Sequence, residues 1–243
     1  MARNFWGEIK QFSAAVALVL VSRTVVAQPF YVPSGSMEPT LQIGDELLAS
    51  KFAYGYSRYS LPFAPGHSTP ERLLGRLPER GDVVVFRLPR DDEEVYVKRV
   101  IGLPGDRVQM RGGRLWINDA PLPIRADGVG QVELQNGQTA PAGRFIETLP
   151  GGRQHAIFKL TEAGPLDDTP VYEVPKGHLF MMGDNRDFSE DSRYLDAVGY
   201  VPLANFVGRA RLIWFSIRLD HPWWEFWYWP VDIRWDRLFT VIH

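Results

Sequence analysis

An apolar run near the start of the chain is the first pattern in the sequence. Residues 12–32 are mostly apolar and carry one charge, Arg23, while basic residues precede the run. About 20 apolar residues can cross a bilayer as a helix, and a basic N-terminal end favours the inner side of the membrane. We therefore predict a cytoplasmic N-terminus at residues 1–10 and one transmembrane anchor at residues 11–29.

A secretory signal peptide is the alternative interpretation of this segment. Val25, Val26 and Ala27 resemble a small-residue cleavage site that follows a short apolar core. Cleavage after Ala27 would leave the following turn, at residues 29–40, as a frayed new N-terminus. An uncleaved anchor is therefore the preferred interpretation.

Short apolar runs separated by Gly, Pro and charged residues make up most of the remaining chain. Those that indicate strands lie at residues 83–86, 95–101, 179–182 and 207–214. Residues 120–176 hold shorter strand-like pieces, which indicates an inserted smaller β subdomain. We therefore predict a mainly β protein whose parts are a main β domain over residues 30–119 and 177–219, the insertion over residues 120–176, and an aromatic-rich C-terminal tail over residues 220–243.

Composition and charge narrow the function classes. The 243-residue chain has a formal net charge of -2 and no long run of Lys or Arg, so it lacks the electrostatic footprint of nucleic-acid binding. It contains no cysteine, which excludes disulfides, thiol nucleophiles and cysteine-bound zinc. The five histidines follow no metal-ligand spacing. We therefore expect no nucleic-acid partner, no metal and no cofactor.

Tryptophan is concentrated near the C-terminus, where six of the eight tryptophans lie between Trp214 and Trp235. Tryptophan and tyrosine side chains prefer membrane interfaces, but they also fill hydrophobic clusters. The tail therefore either rests on the same bilayer as the anchor or packs against the β domain, and the sequence leaves both interpretations open.

A serine in a rigid turn is the main candidate for chemistry. Ser36 lies between Pro33 and Pro39, which fix φ, and beside Gly35, which lets another backbone come close. Such a turn could present a hydroxyl to an extended peptide. Hydroxyls are also common in turns for local reasons, so this stretch alone favours an ordinary turn.

A lysine in a predicted strand is the second candidate. The alternation of side chains places Lys98 and Arg99 on opposite faces of that strand, and the pattern does not decide which face is the inner one. If Lys98 faces inward, burial lowers the pKa of its ammonium from about 10.4 toward neutral, and the lysine becomes usable as a general base. Together with a polar loop at residues 183–193, the two candidates allow a serine nucleophile with a lysine base.

Several motifs in order resemble the boxes of bacterial type I signal peptidases. The resemblance spans about residues 12–215, and its boxes are Pro-Ser-Gly-Ser-Met-Glu-Pro-Thr at 33–40, Gly-Asp-Val-Val-Val-Phe at 81–86, Tyr-Val-Lys-Arg-Val-Ile-Gly-Leu-Pro-Gly-Asp at 96–106 and Gly-Asp-Asn-Arg-Asp-Phe-Ser-Glu-Asp-Ser-Arg at 183–193. The sequence departs from the family in having one anchor where some members have two. Phe188 also stands where asparagine is frequent, and residues 195–198 lengthen the connection after the last box.

The resemblance implies a membrane-bound serine endopeptidase that removes N-terminal signal peptides from exported preproteins by a Ser/Lys dyad. The implied fold is a catalytic domain of antiparallel sheets or a partly open barrel. The implied location is the bacterial inner membrane, crossed once, with the catalytic domain on the periplasmic side. Signal peptides and the lipid bilayer would be the partners, and the oligomeric state is left open.

The resemblance also implies roles for the matching residues. Ser36 would be the nucleophile and Lys98 the general base, while the Ser36 N–H and the Ser34 hydroxyl would form the oxyanion hole. Ser189 would orient the lysine. The supporting polar cluster would consist of Asp191, Arg193 and Arg99. The walls of the substrate pocket would be Phe30, Val32, Met37, Leu41, Tyr96 and Val97.

Two other functions remain open at this point. One is a Ser-Lys peptidase with a narrow target, such as a pilin- or conjugation-specific processing enzyme. The other is a non-catalytic, membrane-tethered β protein that binds extended peptides along a sheet edge. Cleavage of unrelated preproteins would distinguish the first alternative, and an acyl-enzyme would exclude the second.

Overall fold

The structure is a computed structural model that describes residues 7–13, 27–57, 59, 75–133, 138–161, 163–218, 221–222 and 224–243. Residues 7–13 are helical. The central part of the predicted anchor, residues 14–26, lies outside the described residues, and its last part, residues 27–29, belongs to a strand. Within the described ranges, no helix combines the length and the apolar character needed to cross a bilayer.

Strands dominate the described part of the chain. They are β1 (Ala27–Tyr31), β2 (Asp45–Ser50), β3 (Val83–Arg87), β4 (Val95–Gly102), β5 (Arg107–Arg111), β6 (Arg114–Ile117), β7 (Ala120–Pro121), β8 (Ile124–Glu133), β9 (Thr139–Thr148), β10 (Gln154–Lys159), β11 (Tyr172–Glu173), β12 (His178–Met182), β13 (Val201–Pro202), β14 (Phe206–Ser216) and β15 (Thr240–Val241). The predicted mainly β class is confirmed.

The main sheet has eight strands in the order β1-β2-β14-β3-β4-β12-β13, with β15 paired to β14. Neighbouring strands are antiparallel, and the sheet curls into a half-barrel. The apolar runs at residues 83–86 and 95–101 form β3 and β4 at the centre of this sheet, where their largely unbroken hydrophobic pattern suits burial on both faces.

Two smaller sheets have the orders β11-β5-β6-β7 and β10-β9-β8. The first of them crosses the predicted border at residue 119/120, because β7 pairs with β6 and β11 pairs with β5, whereas all three strands of the second lie within residues 120–176. The reason is a two-residue hairpin. Asn118 and Asp119 both adopt positive φ, at 53° and 62°, and fold β7 back onto β6.

Hydrophobic cores cover both faces of β4. Val100 belongs to one core and Ile101 to another. Because neither face of the strand is open to water at this point, Lys98 and Arg99 are both buried, with exposed fractions of 4% and 1%. Both faces of β4 are therefore inner faces at this point.

The C-terminal tail packs against the main sheet and also exposes aromatic side chains. β15 pairs with β14, Ile242 is buried in a hydrophobic core, and Arg237 forms an ion pair with Asp45. The large apolar side chains that remain exposed on this segment are Trp224, Phe226, Trp227, Tyr228, Trp229, Val231, Trp235, Phe239 and Val241. The predicted tail therefore has one part that completes the sheet and another that faces outward.

Candidate active site

Ser36 lies in a single 3₁₀ turn, Gly35–Met37, that follows β1. The N–H of Glu38 donates to the Gly35 carbonyl oxygen at 3.0 Å, and the N–H of Leu41 donates to the Met37 carbonyl oxygen at 2.9 Å. Met37 is buried in the same hydrophobic core as Leu41. Because its neighbour is anchored in the core, the turn holds Ser36 in a defined orientation.

Asn185 holds the turn from the opposite side. Its backbone N–H donates to the Ser36 carbonyl oxygen at 3.1 Å, and its side-chain amide donates to the Gly35 carbonyl oxygen, also at 3.1 Å. Sequence reasoning missed this residue, although it belongs to the polar loop at residues 183–193. The two hydrogen bonds join that loop to the serine turn.

Gly183 is another point at which the loop comes close to the turn. A Cβ at this position would lie 2.2 Å from Ser189 Oγ and 2.4 Å from the Ser36 carbonyl oxygen, so a side chain does not fit. The Ser189 hydroxyl is buried and has no hydrogen-bond partner among the described residues. The structure thus brings Ser189 to the serine turn without a hydrogen bond to Lys98, and its lysine-orienting role stays a prediction.

Lys98 reaches the serine from β4. Its Nζ donates a hydrogen bond to Ser36 Oγ at 2.5 Å. Burial removes water from the ammonium and lowers the pKa of Lys98 to about 8, although the nearby Asp191 carboxylate opposes the change. A lysine with this pKa is partly neutral near neutral pH and can accept a proton.

Asp191 and Arg193 form a buried ion pair in the polar loop. Arg193 donates from Nε and Nη2 to the two Asp191 oxygens, each at 2.8 Å, and the Gly183 N–H donates to the same carboxylate at 3.0 Å. Burial alone would raise the pKa of Asp191, but these partners hold it below its ordinary value. The pair therefore stays charged and shapes the loop next to the dyad.

Arg99 does not join that pair, which corrects the prediction of one polar cluster. It donates from Nε and Nη2 to the Asp184 carboxylate, each at 2.8 Å, and from Nη1 to the Gly81 carbonyl oxygen at 2.7 Å. Thr40 donates its hydroxyl to Asp184 at 2.5 Å. Arg99 points to the opposite face of β4 from Lys98, so its partner comes from another segment of the loop.

A cleft of 390 Å³ opens onto the serine and the lysine. Ser34 lines it, with its Oγ 3.4 Å from Ser36 Oγ. The predicted wall residues that line the cleft are Phe30, Val32, Met37, Tyr96 and Val97. The structure therefore places the dyad, the second serine and most of the predicted pocket around one space.

Leu41 is the predicted wall residue that does not line the cleft, because it is fully buried in the core. Sequence reasoning in turn missed some residues that do line it, namely Tyr31, Pro33, Val95, Phe188 and Glu190. Each of these residues is next to a predicted site residue in the sequence. Adjacency to a predicted site residue is therefore the sequence signal from which these lining residues could have been predicted.

The site offers a hydroxyl, a buried amine and a cleft with mainly apolar walls. Within the described residues, no group of three or more His, Asp or Glu side chains could hold a metal ion. A hydroxyl that is hydrogen-bonded to an amine of lowered pKa can act as a nucleophile with its own base. The arrangement therefore suits acyl transfer from a peptide bond.

Comparisons with known proteins agree with this chemistry. The family described as "Signal peptidase, peptidase S26" matches residues 6–215. A signal peptidase I of Rickettsia prowazekii is 40% identical over 232 residues, which cover 90% of this chain and 82% of that protein. A signal peptidase I of Rickettsia bellii is 36% identical over 254 residues, covering 97% of this chain and 85% of that protein.

A solved structure is also similar. The crystal structure of a signal peptidase I from Enterococcus faecalis is 27% identical, covers 55% of this chain and 97% of that chain, and superposes with a TM-score of 0.32. The family match alone extends over most of the sequence, and the rickettsial relatives match over most of their own length as well. The chain therefore belongs to the signal peptidase family, peptidase S26.

Proposed function

We propose that this protein is a membrane-bound serine endopeptidase that removes N-terminal signal peptides from exported preproteins, with Ser36 as nucleophile and Lys98 as general base. One observation carries the assignment of the residues: the Lys98 amine lies 2.5 Å from Ser36 Oγ and is almost completely buried. Family membership supports the reaction and the substrate class. The cleft beside the dyad supports an extended peptide as the substrate.

The reaction begins with a proton transfer from Ser36 to Lys98. As neutral Lys98 takes the hydroxyl proton, Ser36 Oγ attacks the carbonyl carbon of the peptide bond, and the carbonyl oxygen gains negative charge. The lysine then gives the proton to the leaving amine, and the peptide bond breaks. An acyl-enzyme remains on Ser36, and a water molecule deprotonated by Lys98 hydrolyses it.

Two donors near Ser36 would stabilise the oxyanion. The backbone N–H of Ser36 is one, and the hydroxyl of Ser34, 3.4 Å from Ser36 Oγ, is the other. A donor of this kind contributes about 3 to 4 kcal/mol to the transition state where it has been measured. The 3₁₀ turn that holds Ser36 would keep both donors on one side of the cleft.

We expect cleavage activity to rise with pH through about 8. Only neutral Lys98 can act as the base, and burial lowers its pKa to about 8, so kcat/KM should increase about tenfold per pH unit below that value and then level off. The measurement is kcat/KM between pH 6 and 9.5 on a peptide without titratable side chains near the cut. A rate that is constant from pH 6 to 8 would contradict the role of Lys98.

The proposal also includes the membrane. The family is membrane-associated in bacteria. Residues 11–29 would cross the inner membrane, residues 1–10 would lie in the cytoplasm, and the catalytic β domain would lie on the periplasmic side. The exposed aromatic side chains of the tail support contact with lipid, because tryptophan and tyrosine prefer the interface between headgroups and acyl chains.

A panel of unrelated exported preproteins tests the function. We expect the detergent-solubilised protein to cut each of them once, after small residues at the first and third positions before the cut, and Ser36→Ala protein serves as the inactive control. Mass spectrometry of both products locates the bond. Cleavage of a single preprotein would indicate a narrow processing peptidase, and binding of all of them without any cleavage would indicate the non-catalytic alternative.

A further inference from the structure

Three side chains that are not part of the Ser36–Lys98 dyad lie at the rim of the cleft. Glu190, Phe188 and Tyr96 all line it. The Tyr96 hydroxyl donates to Glu190 Oε1 at 3.4 Å, and the Phe188 side chain is 38% exposed. Lys98 Nζ already lies 5.5 Å from the centre of the Tyr96 ring, so Glu190 together with the Phe188 ring offers a further cation both an ion pair and the negative face of a ring.

Glu190 brings a negative charge to this rim. Within the described residues, Glu190 is the one carboxylate that lines the cleft. Its ion-pair partner, Arg90, lies 3.9 Å away, and both side chains are at least half exposed, so the pair is weak and a substrate cation can replace Arg90. Burial is the largest cause of the raised pKa of Tyr96, and the Glu190 carboxylate adds to it.

The position of the rim relative to the dyad follows from the strand. Tyr96 lies two residues before Lys98 on the same face of β4, which is a distance of about 7 Å at the usual rise per residue. An extended peptide that follows β4 and presents its scissile bond to Ser36 would pass Tyr96 about two residues from that bond. Glu190 and Phe188 line the same cleft and would be near that substrate residue.

We infer that Glu190, Tyr96 and Phe188 form a subsite for a lysine or arginine side chain of the preprotein, about two residues from the scissile bond. The inference rests on the proposed function, because it concerns how that substrate is selected. The apolar walls beside Ser36 decide which small residues fit next to the cut. The rim adds a preference for positive charge and rejects an acidic side chain at the same position.

Peptides that differ at one position test the subsite. Each of the three residues on either side of the cut is replaced in turn by lysine, by its neutral counterpart norleucine, or by glutamate. At one position we expect kcat/KM for the lysine peptide to exceed that of the norleucine peptide about fivefold, with the glutamate peptide the poorest. Glu190→Gln should bring the ratio of lysine to norleucine to about one, and Phe188→Leu should reduce it in part.

The matched control is Glu93→Gln, which removes an exposed carboxylate of the neighbouring turn and should keep the ratio. All rates are compared at one pH as ratios, so any change in the pKa of Lys98 cancels. A ratio near one at every position, or a ratio that survives Glu190→Gln, would overturn the subsite. If the unaltered chain cuts none of the peptides and none of the preproteins, the proposed function fails instead.

Discussion

Lys98→Met is expected to lower kcat/KM for preprotein cleavage by about 10³-fold or more. Methionine occupies much of the volume of lysine but cannot take the Ser36 proton, so the nucleophile loses its base. Ser36→Ala should cause a comparable loss. The double variant should lose no further activity, because the two groups act as one unit. Steady-state cleavage of one peptide by the three variants, measured at pH 8.5, tests this expectation.

Stability separates a catalytic loss from a loss of fold. The pKa of Lys98 is about 8 in the folded protein against an ordinary value of 10.5, so folding below pH 8 carries the cost of a buried charge. At about 1.4 kcal/mol per pH unit this cost is at most about 3 kcal/mol, and it disappears as the pH rises from 8 to 10.5. Lys98→Met removes the charge, so at pH 7 the free energy of unfolding of this variant should be no lower than that of the unaltered chain.

Lys176→Met is the matched control for the lysine variant. Lys176 is exposed just before β12, so its replacement should leave both cleavage and stability close to those of the unaltered chain. A Lys98→Met protein that cleaves at the normal rate would contradict the dyad. A Lys98→Met protein that is inactive because it is unfolded at pH 7 would contradict the electrostatic argument.

Arg99→Met is expected to have the largest effect on stability. It leaves the Asp184 carboxylate buried without its guanidinium, and breaking a buried pair in this way costs about 3 to 5 kcal/mol. The same carboxylate accepts from Thr40, four residues after Ser36, so activity should fall as well. Chemical denaturation in detergent, followed by tryptophan fluorescence, measures the loss.

Arg107→Met is the matched control for the buried pair. Its partner Asp119 and Arg107 itself are about half exposed, and an exposed ion pair contributes less than about 1 kcal/mol. Removing both charges of the buried pair, by Arg99→Met with Asp184→Leu, should recover part of the stability, since no buried charge then remains without a partner. An Arg99→Met protein within about 1 kcal/mol of the unaltered chain would contradict the expectation.

Four strands of the main sheet, namely β3, β4, β12 and β14, were predictable because each carries its own pattern. Residues 83–86 and 95–101 are short apolar runs, and they form the adjacent strands β3 and β4. The same pattern could not show that Lys98 and Arg99 are both buried. That depends on how the sheet curls and on which cores cover its two faces, and both come from residues far away in the sequence.

The contact between Ser36 and Lys98 also could not be predicted from local sequence patterns. The two residues are 62 positions apart, and no periodicity relates a turn to a strand at that separation. The order of the family boxes pointed to the pair, but the boxes did not reveal that Arg99 binds Asp184 or that Leu41 faces the core. They also gave no role to Glu190, although it lies inside a box.

The pairing of β1 bears on whether this enzyme could process itself. The bond after Ala27 follows a stretch that resembles a signal-peptide cleavage site, yet Ala27 pairs with Ser50 and Gln28 pairs with Ala49 in the main sheet. A peptide bond inside a hydrogen-bonded strand cannot enter a cleft as an extended substrate until the strand separates. While β1 is paired with β2, the bond after Ala27 is therefore kept out of the cleft.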